Sequence, residues 1–299
     1  MSVQSVNIDI ERDVISRIVV YLTEEGFANL TSLPNRELVI LFINYCERLI
    51  PTKARHVLKS KCFTCPAELN SGLAEIERKI ECGVDLKPHL STKIKDLQYF
   101  DSMLNDWRIY HLHLGVNPYP RDHSFVDRTG PVLFARFDEK NAYLIDVMPD
   151  HQQWANRDCV QIIHDNWPET ISMFNLSRMG VMDIESNPSS DDIKVLRKAH
   201  INTILKLNDG TIYTSIGLGS TSHGNSITST RAVINVYAKI KWYNESILTD
   251  AKMIINEMLP DFIGDVVIQM DFDKHQYRIV AGESVIIRKT DNLWASIFS

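Results

Sequence analysis

The hydrophobic period of the chain changes near residue 106, and this change limits the fold more than any other feature. Upstream, apolar residues recur at three- and four-residue spacing. Ile10, Val14, Ile15, Ile18, Val19 and Leu22 form one stripe, closed by Gly26. RELVILFINYCERLI after Pro34 continues that pattern, and SGLAEIERKIECG ends at Gly83. The spacing predicts a helical N-terminal region over residues 1–105.

From residue 106 the pattern alternates. WRIYHLHLG, PVLFARFD and AYLIDVMP read as three short strands, the last two joined by the polar turn EKN. VNPYPRDHSFVDRTG, with its prolines and closing glycine, reads as a loop between the first and second strands. A helical run, RDCVQIIHDNWPETISMF, follows and is interrupted by Pro168. The polar RMGVMDIESNPSSDD reads as a linker. Beyond it, Asn208-Asp209-Gly210 marks a hairpin, GLGSTSHGNSITST leads into a long helix, and DVVIQMDF, YRIVAG and SVIIRK predict a further small sheet. The expected class is α+β: helices over 1–105, a small antiparallel sheet with helices over 106–180, and a second α+β domain over 186–299.

Bulk properties exclude several functions. No apolar run approaches the roughly 18–20 residues that a bilayer crossing requires, and the first residues lack the basic and apolar regions of a secretory signal. A cytoplasmic protein with no membrane partner is expected. The net charge of −6 argues against nucleic-acid binding by the whole surface. Residues 48–98, however, hold ten Lys/Arg against six Asp/Glu, a local surplus suited either to phosphate or to solvated helix faces. Five cysteines, with only Cys62 and Cys65 closely spaced, favour reduced thiols over a metal site.

Five of the ten histidines, His111, His113, His123, His151 and His164, fall between positions 111 and 164. In a strand, His111 and His113 project from the same face, roughly 6–7 Å apart. Arg128, Thr129, Arg136, Tyr143 and His151 follow within the same region. Histidine, arginine and tyrosine without a serine nucleophile or a carboxylate pair suit phosphodiester cleavage in RNA. There the substrate's own 2′-OH attacks, and the protein supplies a base, an acid and a cation. Histidine titrates near neutrality and arginine grips phosphate with two donors.

The run HLHL, then NPYP, FVDRTG and LFARFDEKNAYLIDV, resembles the YafO-type mRNA interferase toxins of the RelE superfamily over about residues 106–165. His111, His113, Asn117, Pro118, Pro120, Arg128 and Thr129 carry the resemblance. It implies a RelE-like sheet packed by helices and an endoribonuclease, a toxin-like or phage-defence hydrolase, acting on RNA such as ribosome-associated mRNA. The catalytic set expected is His111, His113, Arg128, His151 and Tyr143, with Thr129, Asn117, Arg136 and His123 binding substrate and no cofactor or metal. Residues 186–299 are then available to an antitoxin or another protein partner. Two alternatives stay open: a non-catalytic interaction module on the same scaffold, and a metal-dependent enzyme in which His111, His113 and His151 bind zinc.

Overall fold

The computed structural model describes residues 3–299, with backbone alone at positions 3, 4, 151 and 152. The chain divides into two compact units, one of residues 44–229 and one made of residues 1–43 together with 230–299. This division cuts across the three regions marked by hydrophobic texture, because the first strand of the chain pairs with one that begins at Gly264.

That strand, β1 (Val3–Ile8), leads into α1 (Ile10–Glu24), whose N-terminus is capped by Asp9 accepting from Arg12 N–H at 2.9 Å. Ile10, Val14, Ile18 and Leu22 are its buried stripe, as the spacing predicts. α2 (Asn35–Arg48) follows. The N-terminal region is therefore not wholly helical: it holds β1 and also β2 (His56–Lys59). Both are short. β2 is an edge strand whose flanking N–H groups find their acceptors on a distant strand, His56 on Lys140 and Ser60 on Leu144, a long-range registration with no local period.

The unit of residues 44–229 continues with α3 (Asn70–Cys82), α4 (Ser102–Trp107), β3 (Tyr110–His113), the β4 (Pro118–Tyr119) and β5 (Asp122–Val126) ribbon, β6 (Val132–Phe137) and β7 (Asn141–Met148). Its main sheet has the order β2-β7-β6-β3. The β7–β6–β3 pairs are antiparallel, as expected, but β2 runs parallel to β7, so the sheet is mixed. Both faces are covered. Ile109, Val132, Phe134, Tyr143, Ile145 and Met148 face one core with Cys159, Val160 and Ile163 of α5 (Asp158–Asn166). Leu112, Leu114, Leu133, Ala135, Ala142 and Leu144 face another with Leu73, Ile76 and Ile80 of α3. Gly72 lets α3 approach β3 closely, since a Cβ there would lie 1.8 Å from the Leu114 carbonyl oxygen.

After α5, Pro168 opens a 3₁₀ turn in place of the continued α-helix. The segment that reads as a linker is bound within this same unit. Arg157 donates to the Pro188 carbonyl, Asn187 exchanges two hydrogen bonds with Lys206, and Ser189 and Asp192 form a capping box for α6 (Ser190–Lys198). The Asn-Asp-Gly hairpin forms as read, between β8 (Leu205–Lys206) and β9 (Ile212–Tyr213). The glycine-rich loop is anchored to α4. Gly217 and Gly219 donate to the carbonyls of Asp106 and Asn105. Where it enters α7 (Ile227–Met258), the anion held is Glu47, paired with Arg108 and accepting from Ser229; burial raises its pKa, against the lowering pull of Arg108.

In the other unit, β1 joins β10 (Gly264–Asp271), β11 (Gln276–Ala281) and β12 (Ser284–Lys289) in that order, the β1–β10 pair parallel and the rest antiparallel. The closing helix α8 (Leu293–Phe298) places Trp294 and Phe298 against Phe42. Among the described residues, no helix is long and apolar enough to cross a membrane.

Candidate active site

β3 begins abruptly. α4 ends at Trp107, Arg108 takes a left-handed conformation with φ 55°, and Tyr110 already pairs with Ala135. His111 and His113 then project from one face of β3, their ring centroids 6.4 Å apart, as the strand period predicts. That face is also the one bearing Ile109, Phe134 and Val132, so it is not a solvent face, and the two histidines differ in fate. His113 is 2% exposed. His111, with 19% of its side chain exposed, opens onto a cleft.

The cleft has a wide compartment of about 340 Å³ and a narrow one of about 30 Å³, which share Ser91, Lys93, Tyr99, Asp101 and His111. Met103, Val132, Phe134 and Trp154 give the wide compartment an apolar wall. Arg48, Leu90, Ile94 and Tyr110 line the narrow one. Each polar group is fixed by local chain geometry. Asp101 caps α4 by accepting from Leu104 N–H, and its other oxygen lies 3.9 Å from His111 Nδ1. Ser91 caps the 3₁₀ turn at Thr92–Lys95 that carries Lys93. Asn44 donates to the Tyr99 carbonyl, and Arg48 Nη1 to the Lys93 carbonyl, tying the end of α2 to the cleft wall. Burial pushes the Tyr99 phenol up, and Asp101 pushes it further, so it stays protonated at neutral pH.

A histidine beside a carboxylate, with a lysine, an arginine and a protonated phenol in one cleft, can transfer protons and bind an anion. Behind it lies a further histidine, His89, which the sequence reading did not place at the site. Its Nδ1–H donates to the His113 carbonyl at 2.8 Å, and Lys79 Nζ sits 2.9 Å from Nε2. Burial pushes its pKa down to about 4, so the ring is neutral and Nε2 accepts from the lysine.

Among the described side chains singled out from sequence, only His111 lines the cleft. His113 lies buried beside it. Arg128 turns to the Leu90 carbonyl and stacks on Phe125 and Tyr119, with burial lowering its pKa. Thr129 is a strand clamp, accepting from Leu114 N–H and donating to the Pro131 carbonyl. Tyr143 donates to Asp138 at 2.6 Å and packs on Trp167; burial and that carboxylate raise it to about 12. Arg136, opposite Tyr143, is pushed down to about 10 by burial. Asn117 and His123 are exposed on and beside the β4–β5 ribbon. The side chain of His151 lies outside the described residues. His164 joins Tyr213 to Asp209, holding the β8–β9 hairpin to α5.

Sequence reasoning missed Asp101, Tyr99, Ser91 and Trp154 as site residues. The basic surplus of residues 48–98 contains both cleft cations, Arg48 and Lys93, and is the one signal that pointed to them. Among the described residues, no three His, Cys, Asp or Glu side chains are grouped to hold a metal, and all five cysteines are free thiols. Comparison with protein-family models, with curated proteins and with solved structures finds no match to the chain.

Proposed function

We propose that the protein is an endoribonuclease whose cleft uses His111 as the proton-transferring base. The observation that carries the reading is the pairing of His111 with Asp101 in a cleft that also holds Lys93 and Arg48. His111 takes the proton of a ribose 2′-OH, the 2′-oxygen bonds to phosphorus, and the bond from phosphorus to the 5′-oxygen breaks. The leaving oxygen takes a proton from the Tyr99 phenol, and Lys93 offsets the charge on the phosphorane oxygens. Asp101, 3.9 Å from Nδ1, faces the imidazole that receives the proton. In this reading the roles first given to His113 and Arg128 pass to Tyr99 and Lys93. A RelE/YafO-like toxin or defence effector, acting on mRNA and controlled by a protein inhibitor, is the biological setting that the β3 to β7 resemblance suggests. Growth on induction tests it: wild-type protein arrests growth and His111→Ala relieves the arrest, whereas a harmless wild type that leaves RNA intact with and without ribosomes overturns the proposal.

A second reading, a binding module without catalysis, is favoured by the commitment of Thr129 and Arg128 to backbone contacts. It requires that His111→Ala leave partner capture unchanged while RNA stays intact in both proteins.

A further inference from the structure

Arg48 is a buried cation with unused donors. It is 5% exposed, it spends Nη1 on the Lys93 carbonyl, and its Nε and Nη2 groups meet no hydrogen-bond partner. Among the described residues no carboxylate lies within ion-pair distance of it; Asp101 and Asp96 act on its charge from farther off, and its position at the C-terminal end of α2 adds partial compensation from the helix carbonyls. The guanidinium is held against Tyr45 and Tyr99, with ring centroids 5.9 and 5.8 Å away. A guanidinium desolvated in this way is costly unless an anion completes it. Its Nε and Nη2 edges lie side by side, the arrangement that grips two oxygens of one oxyanion.

The surroundings narrow the ligand. Arg48 and Lys93 share the narrow compartment, whose volume of about 30 Å³ suits a small polar group. His111 and Asp101 stand where this compartment meets the wide one, and beyond them Trp154 and Phe134 offer a flat apolar wall of the size a nucleobase fills.

We infer that Arg48 is a phosphate-binding residue and that the cleft takes one nucleotide unit, its phosphate on Arg48 and Lys93 and its base in the wide compartment. This rests on the same cleft as the ribonuclease proposal and specifies the unit that cleft recognises, free or within a strand, whether or not it is cut.

The test is calorimetric titration of the full chain with AMP and with adenosine, in wild type and in Arg48→Gln and Lys93→Gln. Wild type binds AMP at least about tenfold more tightly than adenosine, an increment expected of one charge-assisted bidentate contact. Arg48→Gln brings the two ligands to within about twofold. Equal binding of AMP and adenosine by wild type, or a preference that survives in folded Arg48→Gln, overturns the inference. Should Arg48→Gln fail to fold, the exposed Lys93 decides: Lys93→Gln must weaken AMP by about threefold or more without changing adenosine. An RNA octamer with and without a 5′-phosphate separates the sources. Preference for the phosphorylated strand assigns a strand end, and equal binding that is weakened by Arg48→Gln assigns an internal linkage. A phosphate preference without RNA cleavage ends the ribonuclease proposal alone; cleavage with an Arg48-independent preference ends this inference alone.

Discussion

Asp106→Ala should be among the most destabilising single substitutions in the unit of residues 44–229. The Asp106 carboxylate receives Arg197 Nε at 2.9 Å and lies 2.9 Å from Nη2, with the two side chains 6% and 3% exposed. Arg197 also donates to the Trp154 carbonyl and stacks 3.9 Å above the Trp107 ring centroid. Removing the carboxylate leaves the guanidinium desolvated, with the Trp154 carbonyl and the Trp107 and Trp154 rings as its remaining described partners. Loss of one member of a buried pair costs about 3–5 kcal/mol, of which the stacking that remains recovers little. With a urea dependence of about 2 kcal/mol per molar, the unfolding midpoint should fall by about 1.5–2.5 M. Tryptophan fluorescence reports the transition directly, because Trp107 lies under the guanidinium. Adding Arg197→Met should return part of the loss, since it removes the stranded charge, and the cycle should give a coupling energy of at least about 2 kcal/mol. A loss below about 1 kcal/mol, or strict additivity of the two substitutions, would refute the argument that this ion pair locks α6 onto α4.

Other consequences are simpler to state. His89 has a folded pKa of about 4, below its unfolded value near 6.5, so its contribution is complete above pH 6.5 and is lost as pH falls through that window. About 3 kcal/mol of acid sensitivity between pH 6.5 and 4 should therefore flatten in His89→Gln, as followed by denaturant midpoints against pH. Thr129→Val removes two buried-side hydrogen bonds and should cost about 1–3 kcal/mol with RNA affinity unchanged; weakened RNA binding in a folded protein would return Thr129 to the substrate. Tyr143→Phe loses the bond to Asp138 and should cost about 1 kcal/mol without altering cleavage, measured on the same RNA. Gly72→Ala drives a methyl into the Leu114 carbonyl and should lower stability by about 1–3 kcal/mol or more, by thermal melting.

The elements that showed in the sequence are those specified by their own residues. The α1 stripe, the β6–β7 turn, the Asn208-Asp209-Gly210 hairpin and the break at Pro168 each follow from short-range chemistry. The pairings that did not show join segments far apart: β1 with β10, and β2 with β7. A four-residue edge strand such as β2 has too few positions for a period. The strand period also placed His111 and His113 on one face at the observed separation, but it carries no information about what covers that face. With helices on both sides of the sheet, one histidine was buried and the other left at a cleft. Asp101 and Tyr99 escaped notice for a related reason. They stand in irregular chain between a 3₁₀ turn and α4, where the cap at Leu104 and the bond from Asn44 help hold them beside His111.

The central claim is that the His111 cleft performs proton transfer on an RNA phosphodiester. The most direct measurement is incubation of a labelled single-stranded RNA with purified wild-type protein and with His111→Ala, with the product ends identified. The account predicts that wild type yields fragments ending in a 2′,3′-cyclic phosphate opposite a 5′-hydroxyl, at a rate that falls by about 10²-fold or more in His111→Ala. RNA that stays intact, or that is cut equally well by both proteins, contradicts it.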